Sequence, residues 1–390
     1  MSDVINIKNL GNRIEADHVL FAMVRLQNDS RTLNLSKSLL ERGDSVIIIG
    51  LLEDDEKILA DYDRAIILKV DNPGNVRAFR LWTHFIYNTL GKVHLIRSNF
   101  WWAMDVFMLC LGWFFRWIHG GRLLYDAREI YSDLGETKDH PVKASFFLHM
   151  ESLFIREADL VYTSGWLDSS YLKQLYQISE PEVLLNVPRY SEPDPNNRLR
   201  EEFSIPADHT IVAYQGILLP GRGFEKILEA IKELDDVHFC VIGGGPEQEK
   251  IQKKAESIGV SKRTHCTGWV PYDELLSWSA SVDVGLVLID DTTQSLRYAL
   301  PNKLFEHAMC GTPVIVTDLP QMAKVVNENQ SGIIISPKYT TQDIILAIDR
   351  ITQPDMYAKF QEGAKKVASR YNWEEESKKI DVFLERASVK

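Results

Sequence analysis

The sequence of 390 residues has few cysteines and no excess of positive charge. Its four cysteines are too few and too scattered for a disulfide framework or a CxxC metal pair: Cys110, Cys240, Cys266 and Cys310. We therefore expect reduced thiols, as in a cytoplasmic protein. The net charge of -11 argues against a dedicated nucleic-acid-binding protein, which needs a basic face. A local basic pocket for an anionic ligand is compatible with this charge.

The chain also has no secretory pattern and no uninterrupted apolar run of spanning length. Met1–Gly11 has no apolar h-region, so we do not expect a secretory signal. Phe100–Ile118 is rich in Trp, Phe, Leu and Met, but Asp105 and Arg116 interrupt it, and a charge inside a span is costly. We favour a buried helix of a large domain here, with an interfacial membrane contact or a true span as alternatives.

Several catalytic and nucleotide-binding patterns are missing. The GxGxxG and GxxxxGK[ST] spacings do not occur, so neither a dinucleotide fingerprint nor a P-loop is indicated. The pairs Asp54-Asp55 and Asp290-Asp291 are interpreted as a surface loop and a strand end, so we expect neither a metal nor a cofactor. No carboxylate pair has an assignable glycosidase spacing, and a hydrolase is not expected because four histidines lack a matched Ser or Cys: His119, His140, His149 and His307.

Short β-rich runs alternate with helical patterns along the whole chain, which is typical of parallel sheets wrapped by helices. The predicted elements of the first half include a strand over Val93–Ile96 and a helix over Val142–Glu157. Residues 188–209 contain four prolines and two adjacent asparagines that break both patterns, and they form the best linker candidate. We therefore predict α/β domains over 1–187 and 210–371 and a last helix within 372–390. If the two sheets face each other, the cleft between them is the expected ligand site.

Two glycine-rich turns follow predicted strands of the second half. Gly216–Gly223 follows the strand Ile211–Tyr214 and opens a helix. Its glycines would let backbone N–H groups approach a phosphate, and Arg222 could bind the phosphate oxygens. An ordinary turn with a surface arginine is the alternative. Gly243–Gly245 follows another strand, where it either allows a tight reversal or lines the ligand cleft.

The most informative stretch is Tyr298–Ile315. Leu300 to Asn302 form a predicted loop that enters a helix at Lys303, and Lys303 and Glu306 share one face of that helix. A cation at the start of the helix could bind a diphosphate, and a carboxylate one turn later could accept hydrogen bonds from paired sugar hydroxyls. An exposed Lys–Glu helix pair is the alternative.

This stretch also resembles a known signature. Leu300-Pro-Asn-Lys-Leu-Phe-Glu306 followed by Gly311-Thr-Pro-Val-Ile315 resembles the signature of the group-1 (family 4) retaining glycosyltransferases, which have the GT-B fold. The resemblance covers residues 210–388 and is weaker over 18–187. Further matching pieces are Tyr214–Gly223, Val241–Pro246, Thr267–Pro271, Tyr371–Glu374, Tyr125–Tyr131 and Glu157–Ser164.

The resemblance implies two facing Rossmann-like α/β domains, with the C-terminal helix crossing back to the N-terminal, acceptor-binding domain. The C-terminal domain would bind a nucleoside-diphosphate sugar, the donor. Arg222 and Lys303 would hold its diphosphate, Glu306 would bind the ribose, and Trp269 and Val270 would border the base. The remaining donor-binding positions are Gly216, Gly221, Gly223, Gly244, Leu300, Pro301 and Asn302.

The sequence departs from the family pattern at three positions. Tyr298 stands eight residues before Glu306, where many relatives have a second Glu, and Ile217 stands where many have an Arg. Arg128 occupies the place of a histidine in Asp126-Ala-Arg-Glu129 and, with a pKa above about 12, cannot act as a neutral base. It could supply charge to the leaving phosphate or to an acidic acceptor, or form a salt bridge with Glu129 or Asp126.

Three further residues are predicted on the acceptor side: Arg31, Asp105 and Glu129. Asp105 could point into the cleft or be a charge in the first turn of the apolar helix. Asp29 and Arg31, just before the first helix, could reach the cleft or have only a local role.

The resulting hypothesis is a metal-independent glycosyltransferase. It would move a sugar, with retention, to a hydroxyl of a glycan or lipid-linked acceptor in surface polysaccharide or glycolipid synthesis. We expect a cytoplasmic location, at the inner face of the plasma membrane if Phe100–Ile118 contacts lipid. The alternatives are a non-catalytic nucleotide-sugar-binding subunit of a polysaccharide assembly complex and a nucleotide-sugar epimerase.

Overall fold

A computed structural model of the chain describes residues 3–26, 29–52, 64–74, 78–134 and 140–389. The chain forms two compact units. The first consists of Met1–Asn186 and Glu376–Lys390, and the second consists of Val187–Glu375. In the described ranges each unit is built on one parallel sheet, and helices connect most of its strands. The acidic pair Asp54-Asp55 lies outside the described residues.

The sheet of the first unit has eight strands in the part of the chain described. Their order is β1-β4-β3-β2-β5-β6-β7-β8. Every residue of β3 (Val46–Leu52) is buried, as expected for a strand covered on both faces. From β4 to β7 the order is that of a Rossmann fold, which reverses between β2 and β5. The strands β1 to β8 are Asp3–Asn6, Ile14–Arg25, Val46–Leu52, Ile66–Asp71, Ile96–Met104, Arg122–Ala127, Leu160–Thr163 and Glu182–Val183.

Two helices of the first unit begin at aspartate caps. The Asp29 side chain accepts a hydrogen bond from the Thr32 N–H at 3.2 Å, and Asp105 accepts one from the Val106 N–H. Short side-chain acceptors at these positions satisfy N–H groups that have no partner within the helix. The helices α1 to α5 are Ser30–Glu41, Ala78–Leu90, Val106–His119, Pro141–Phe154 and Trp166–Tyr176.

The second unit has a six-stranded parallel sheet in the order β11-β10-β9-β12-β13-β14. This is again the Rossmann order, and it reverses between β9 and β12. The strands β9 to β14 are Thr210–Gln215, Val237–Ile242, Thr264–Cys266, Val284–Val287, Val314–Thr317 and Gly332–Ile335. The helices α6 to α14 are Arg198–Phe203, Phe224–Glu233, Gln248–Ser257, Tyr272–Ser279, Gln294–Arg297, Asn302–Met309, Pro320–Asn329, Thr341–Ile351 and Pro354–Arg370.

The end of the chain returns to the first unit. Two helices, α15 (Trp373–Glu376) and α16 (Lys379–Val389), replace the single helix predicted within 372–390, so that prediction was wrong at the break. The Arg122 guanidinium donates to the Ser388 carbonyl at 3.0 Å, and the Phe383 ring lies 5.7 Å from the Tyr162 ring. These contacts fix α16 against strands β6 and β7.

The aromatic segment Phe100–Ile118 is not one helix, so that prediction was wrong for its first part. Residues up to Met104 belong to β5, which pairs with β2 and β6, and α3 begins at Val106. The predicted strand Val93–Ile96 was also wrong, because a 3-10 turn at Val93–Leu95 precedes β5. In the described ranges, no helix combines the length and the apolar character needed to cross a membrane.

The proline-rich segment 188–209 is part of the second unit. It contains α6, so the prediction that no helix forms there was wrong for Arg198–Phe203. Leu199 is fully buried in one apolar cluster with Ile205, Ile211 and Val282. Leu199 and Ile205 thus join this segment to the apolar cluster beside β9.

Candidate active site

The carboxyl ends of β9 and β12 mark the place where an open α/β sheet binds its ligand. The turn Gly216–Gly223 begins directly after β9. Helix α11 (Asn302–Met309) meets the same point, since the Gln215 side-chain amide donates to the Glu306 carboxylate. The structure therefore brings the predicted phosphate turn and the predicted Lys-Leu-Phe-Glu helix together.

The two glycine-rich turns are hydrogen-bonded to each other. The Leu218 N–H donates to the Gly244 carbonyl at 3.0 Å, and the Glu247 N–H donates to the Leu218 carbonyl at 3.2 Å. A Cβ atom on Gly243 would lie 2.3 Å from the Gly216 carbonyl oxygen, and one on Gly245 would lie 2.6 Å from the Leu218 nitrogen. These two glycines are required because the backbones of the two turns approach so closely.

Lys303 lies beside the first turn. Its Nζ is 3.7 Å from the centre of the Tyr214 ring and 3.5 Å from the position that a Cβ would take on Gly216. Burial and the nearby positive charge of Arg222 lower the pKa of Lys303 to about 7, against the opposing effect of Glu306. Two cations thus lie close enough to repel each other, which an anionic ligand between them would relieve.

Glu306 is buried one turn further along α11. It is 5% exposed, which rules out the alternative of an exposed Lys–Glu pair. The Ser279 hydroxyl donates to the side-chain oxygen Oε1 of Gln215 at 2.6 Å. This hydrogen bond orients the side-chain amide that donates to Glu306. Burial raises the pKa of Glu306 to about 7, although the Gln215 hydrogen bond and Lys303 oppose this.

The start of α11 has donors for an anion. Its N-cap is Pro301, which offers no side-chain acceptor to the first N–H groups of the helix. Such free N–H groups and the helix dipole favour negative charge at this end. Leu300, Pro301 and Asn302 are all partly buried here, beside Lys303.

The turn that carries Arg222 is bordered by Asp290, which the sequence placed only at a strand end, and by Tyr339, which the sequence did not indicate. The Asp290 N–H donates to the Gly221 carbonyl at 3.0 Å. Tyr339 is buried, and its hydroxyl has no hydrogen-bond partner among the residues with assigned positions. A Cβ on Gly223 would lie 2.1 Å from that hydroxyl. Tyr339 follows β14, more than a hundred residues after Arg222, and no local pattern connects the two.

Trp269 lies next to the second glycine-rich turn. It is 69% exposed, and its indole nitrogen is 2.9 Å from the position of a Cβ on Gly244. Val270 is partly buried beside it in the chain. A flat exposed indole over a bare glycine can stack on the ring of a planar ligand.

His307 follows Glu306 but points into the protein interior. Burial lowers its pKa to about 3, so its ring is neutral, and neither ring nitrogen has a partner among the described residues. It lies against Gly285 of β12. In the described parts of the chain, no group of three or more His, Cys, Asp or Glu side chains is arranged to hold a metal ion.

In the first unit, Arg31 forms a buried ion pair at the end of β6. Its Nε and Nη2 donate to the two carboxylate oxygens of Asp126, each at 2.8 Å, and its Nη1 donates to the Leu184 carbonyl at 2.8 Å. Arg31 is 3% exposed. The side chain therefore connects α1, β6 and the end of β8, which is the local role left open for it.

Arg128 completes the same network. Its Nε donates to Asp126 at 3.0 Å, its Nη1 to Asp29 at 2.8 Å, and its Nη2 to the Thr32 hydroxyl at 2.8 Å. The positive charge of Arg128 and these hydrogen bonds hold the pKa of Asp29 below its usual value despite burial. The structure thus contains the alternative salt bridge of Arg128 to Asp126.

Asp105 lies at the end of β5, where the strand order of the first unit reverses. Its backbone has φ 100° and ψ 158°, a region that costs a residue with a side chain about 1–3 kcal/mol. The Tyr131 hydroxyl donates to its carboxylate, and Asp105 caps α3. Burial raises the pKa of Asp105 to about 7. Glu129 is exposed and adds negative charge nearby.

Comparison with known proteins agrees with this architecture. Residues 195–367 match the family model described as "Glycosyl transferases group 1". The sucrose-phosphate synthase structure from Thermosynechococcus elongatus superposes with a TM-score of 0.78 at 15% identity, over 96% of this chain and 99% of that one. This likeness shows that the fold is GT-B, as predicted.

Two curated relatives are similar in sequence. A D-inositol 3-phosphate glycosyltransferase of Acidothermus cellulolyticus is 26% identical over 242 residues, which cover 57% of this chain and 52% of the relative. The lipopolysaccharide core biosynthesis glycosyltransferase LpsE of Rhizobium meliloti is 28% identical over 136 residues, or 35% of this chain and 38% of the relative. The chain thus matches about half of the first relative's length and less of the second.

These findings define the type of fold. The two Rossmann-type units and the returning C-terminal helix form a glycosyltransferase fold of the GT-B type. Residues 195–367 match the family model of the group 1 glycosyl transferases, which confirms the predicted resemblance over that range.

The hydrogen bonds from Arg31 to Asp126 predict that Arg31 stabilises the fold of the first unit. Replacing Arg31 with Met should lower the free energy of unfolding by about 3 kcal/mol, because the buried Asp126 carboxylate loses its bidentate ion-pair partner. Urea unfolding followed by circular dichroism measures this change. Arg13→Met is the matched control, since it removes only an exposed pair with Glu15 and should cost less than about 1 kcal/mol. Equal losses in the two variants would show that the buried network is not structural.

Proposed function

We propose that the protein is a glycosyltransferase. It transfers a sugar from a nucleoside-diphosphate sugar to a hydroxyl group of a glycan or lipid-linked acceptor, with retention and without a metal ion. The group 1 domain at residues 195–367 supports the activity, and retention follows from the family resemblance. The names of the two relatives, which concern inositol phosphate and lipopolysaccharide core, support an acceptor of this kind.

The observation that carries the proposal is the position of Arg222 and Lys303 at the β9–β12 reversal point. When the glycosidic bond breaks, negative charge develops on the departing diphosphate. Two cations and the N–H groups at the start of α11 would already be in place to stabilise that charge. Because fixed donors need no reorganisation, this arrangement favours the transition state over the bound donor.

The neighbouring residues would select the nucleoside. Glu306, held by Gln215, would accept hydrogen bonds from the ribose hydroxyls. Trp269 and Val270 would border the base, with the exposed indole as the stacking surface. Ile217 stands where many relatives have an Arg, so Arg222, with Lys303, would carry the diphosphate. Tyr298 stands where many relatives have a Glu, so a second carboxylate would be missing at the sugar.

The first unit would bind the acceptor. Asp105 is the strongest candidate there, because a strained backbone holds its carboxylate at the carboxyl end of β5. Arg128 and Glu129 follow β6 at the neighbouring strand end, and Arg31 fixes their position through Asp126. The four free cysteines are compatible with the proposed cytoplasmic location.

The donor site is tested by ligand-induced stabilisation. A panel of UDP, GDP, ADP and CMP sugars should contain one that raises the melting temperature, with about 2.7 kcal/mol of stabilisation when the ligand is at roughly 100 times its Kd. Arg222→Ala and Glu306→Gln should abolish most of this shift. Arg350→Ala, at an exposed arginine on α13 of the same unit, should retain it. Unchanged shifts in the first two variants would mean that the donor site lies elsewhere.

The pKa of Lys303 predicts a pH dependence of donor binding. The diphosphate prefers the ammonium form, so affinity is full below about pH 7 and falls by up to about tenfold per pH unit above it. Lys303→Arg keeps its charge at all these pH values. Glu306 titrates over the same range, so the informative quantity is the ratio of wild-type to Lys303→Arg affinity, measured by calorimetry. A ratio that stays constant across this range would contradict a titrating Lys303 at the diphosphate.

The proposed chemistry is tested by one turnover assay. With the donor identified above, proton NMR of the product should show the anomeric configuration of the donor, and EDTA should not reduce the rate. An inverted product would remove retention, and loss of activity that Mg²⁺ or Mn²⁺ restores would remove metal independence. Binding of the donor without transfer to any acceptor would favour the non-catalytic subunit instead.

A further inference from the structure

Tyr214 lies near the carboxyl end of β9, beside Lys303 and the turn that carries Arg222. It is 1% exposed, and its strand pairs with β10 on one side and with β12 on the other. A buried central strand belongs to the part of a fold that opens least readily, since neighbouring strands hold its backbone on both sides. The Tyr214 side chain is therefore a rigid support for the groups that contact it.

The ring of Tyr214 contacts the Lys303 ammonium. Lys303 Nζ lies 3.7 Å from the ring centre, within the range in which the negative face of an aromatic ring attracts a cation. The ring of Phe224, the first residue of α7, meets the Tyr214 ring edge to face, with centres 4.9 Å apart and planes at 78°. The Tyr214 ring would lose both contacts if it turned.

The charged groups around Lys303 act on it in opposite directions. The charge of Arg222 lowers the pKa of Lys303, and the charge of Glu306 raises it. The Glu306 carboxylate also accepts a hydrogen bond from Gln215. His307, the next residue of α11, is neutral because burial lowers its pKa to about 3. These groups influence the protonation of Lys303, whereas the Tyr214 ring supports its ammonium directly.

The hydroxyl of Tyr214 contacts the glycine-rich turn. It donates to the Ile217 carbonyl at 2.8 Å. Burial raises the pKa of this hydroxyl, and the positive charge of Arg222 and a hydrogen bond from the Arg222 side chain oppose the rise. A phenolic oxygen can donate one hydrogen bond and accept another. One tyrosine therefore contacts Lys303 through its ring and the Arg222 turn through its hydroxyl.

We propose that Tyr214 positions both basic residues of the donor site. Its ring holds the Lys303 ammonium, and its hydroxyl holds the turn that carries Arg222, so both side chains are in place before a diphosphate binds. Tyr214 is a positioning residue, since it acts through Lys303 and Arg222. This inference rests on the proposed donor site and adds to it the residue that preorganises the two charges.

A neutral aromatic side chain suits this role better than a charged one. Arg222 and Lys303 repel each other, so each needs a support that keeps it in place. A carboxylate could hold the Lys303 ammonium, but it would neutralise the charge and repel the incoming diphosphate. The Tyr214 ring attracts the ammonium without cancelling its charge, and the full positive charge stays available to the ligand.

Titration calorimetry with UDP, GDP and ADP over a range of pH tests the two contacts separately. Tyr214→Phe keeps the ring and removes the hydroxyl, so we expect about fivefold weaker binding of the diphosphate at every pH. Tyr214→Leu removes the ring as well. The pKa of Lys303 should then fall by about one further unit, because the ammonium loses the attraction of the ring. Tyr214→Leu should therefore bind like Tyr214→Phe at low pH and about tenfold more weakly above about pH 7.

Two variants of the same unit serve as matched controls. Tyr357→Phe removes a hydroxyl that donates to the Asp283 carbonyl at 3.2 Å, and Phe239→Leu removes a fully buried ring from β10. Both should bind the diphosphate like the wild type, with the same pH dependence. Circular dichroism and the melting temperature of each variant exclude unfolding as the cause of a loss. If Tyr214→Leu does not fold, the result for Tyr214→Phe decides.

The outcomes distinguish the role of Tyr214 from the donor site itself. If the wild type binds none of the three nucleoside diphosphates, the donor site is wrong and the role of Tyr214 falls with it. If the wild type binds one of them and Arg222→Ala loses it, the donor site stands. The role of Tyr214 is then overturned if Tyr214→Phe binds like the wild type. It is also overturned if Tyr214→Leu weakens binding by the same factor at every pH, as a cavity in the core would.

Discussion

The donor side of the second unit depends on two basic residues, Arg222 and Lys303, that interact electrostatically near the end of β9. Like charges at short range destabilise a folded protein unless an anion or a change of protonation relieves them. Burial, with the positive charge of Arg222 as the second cause, lowers the pKa of Lys303 to about 7. The glycine-rich turns fix this arrangement because Gly243 and Gly245 allow their backbones to touch. Packing thus keeps Arg222 and Lys303 where their repulsion lowers the stability of the fold, and an anionic ligand can remove this repulsion.

The fold and the donor side could be predicted largely from local patterns. Alternating strand and helix patterns indicated the parallel sheets, and the Lys303–Glu306 spacing indicated one functional helix face. The errors arose where tertiary contacts override local pattern. Phe100–Met104 looked helical because of its continuous hydrophobicity, yet it is buried as a central strand between β2 and β6. Arg198–Phe203 forms a helix within the proline-rich segment, and Leu199 of this helix is buried in an apolar cluster with residues distant in sequence.

The acceptor side was harder to predict because its contacts join residues distant in sequence. Arg31 and Asp126 are 95 residues apart, and Arg128 bonds both Asp29 and Thr32. Sequence spacing could name these charged residues but could not show that they bind one another. The same limit applies to Tyr339 and Gln215, which adjoin the donor turn and α11 only after folding. Asp105 differs, since its strained backbone becomes visible only in the structure.

The central claim is that a diphosphate binds between Arg222 and Lys303 at the start of α11. A crystal structure of the protein with a nucleoside diphosphate tests it most directly. Phosphate oxygens should lie within hydrogen-bonding distance of Lys303 Nζ and the Arg222 guanidinium, and the ribose hydroxyls should lie at Glu306. A diphosphate bound elsewhere, with Lys303 still against the Tyr214 ring, would contradict it.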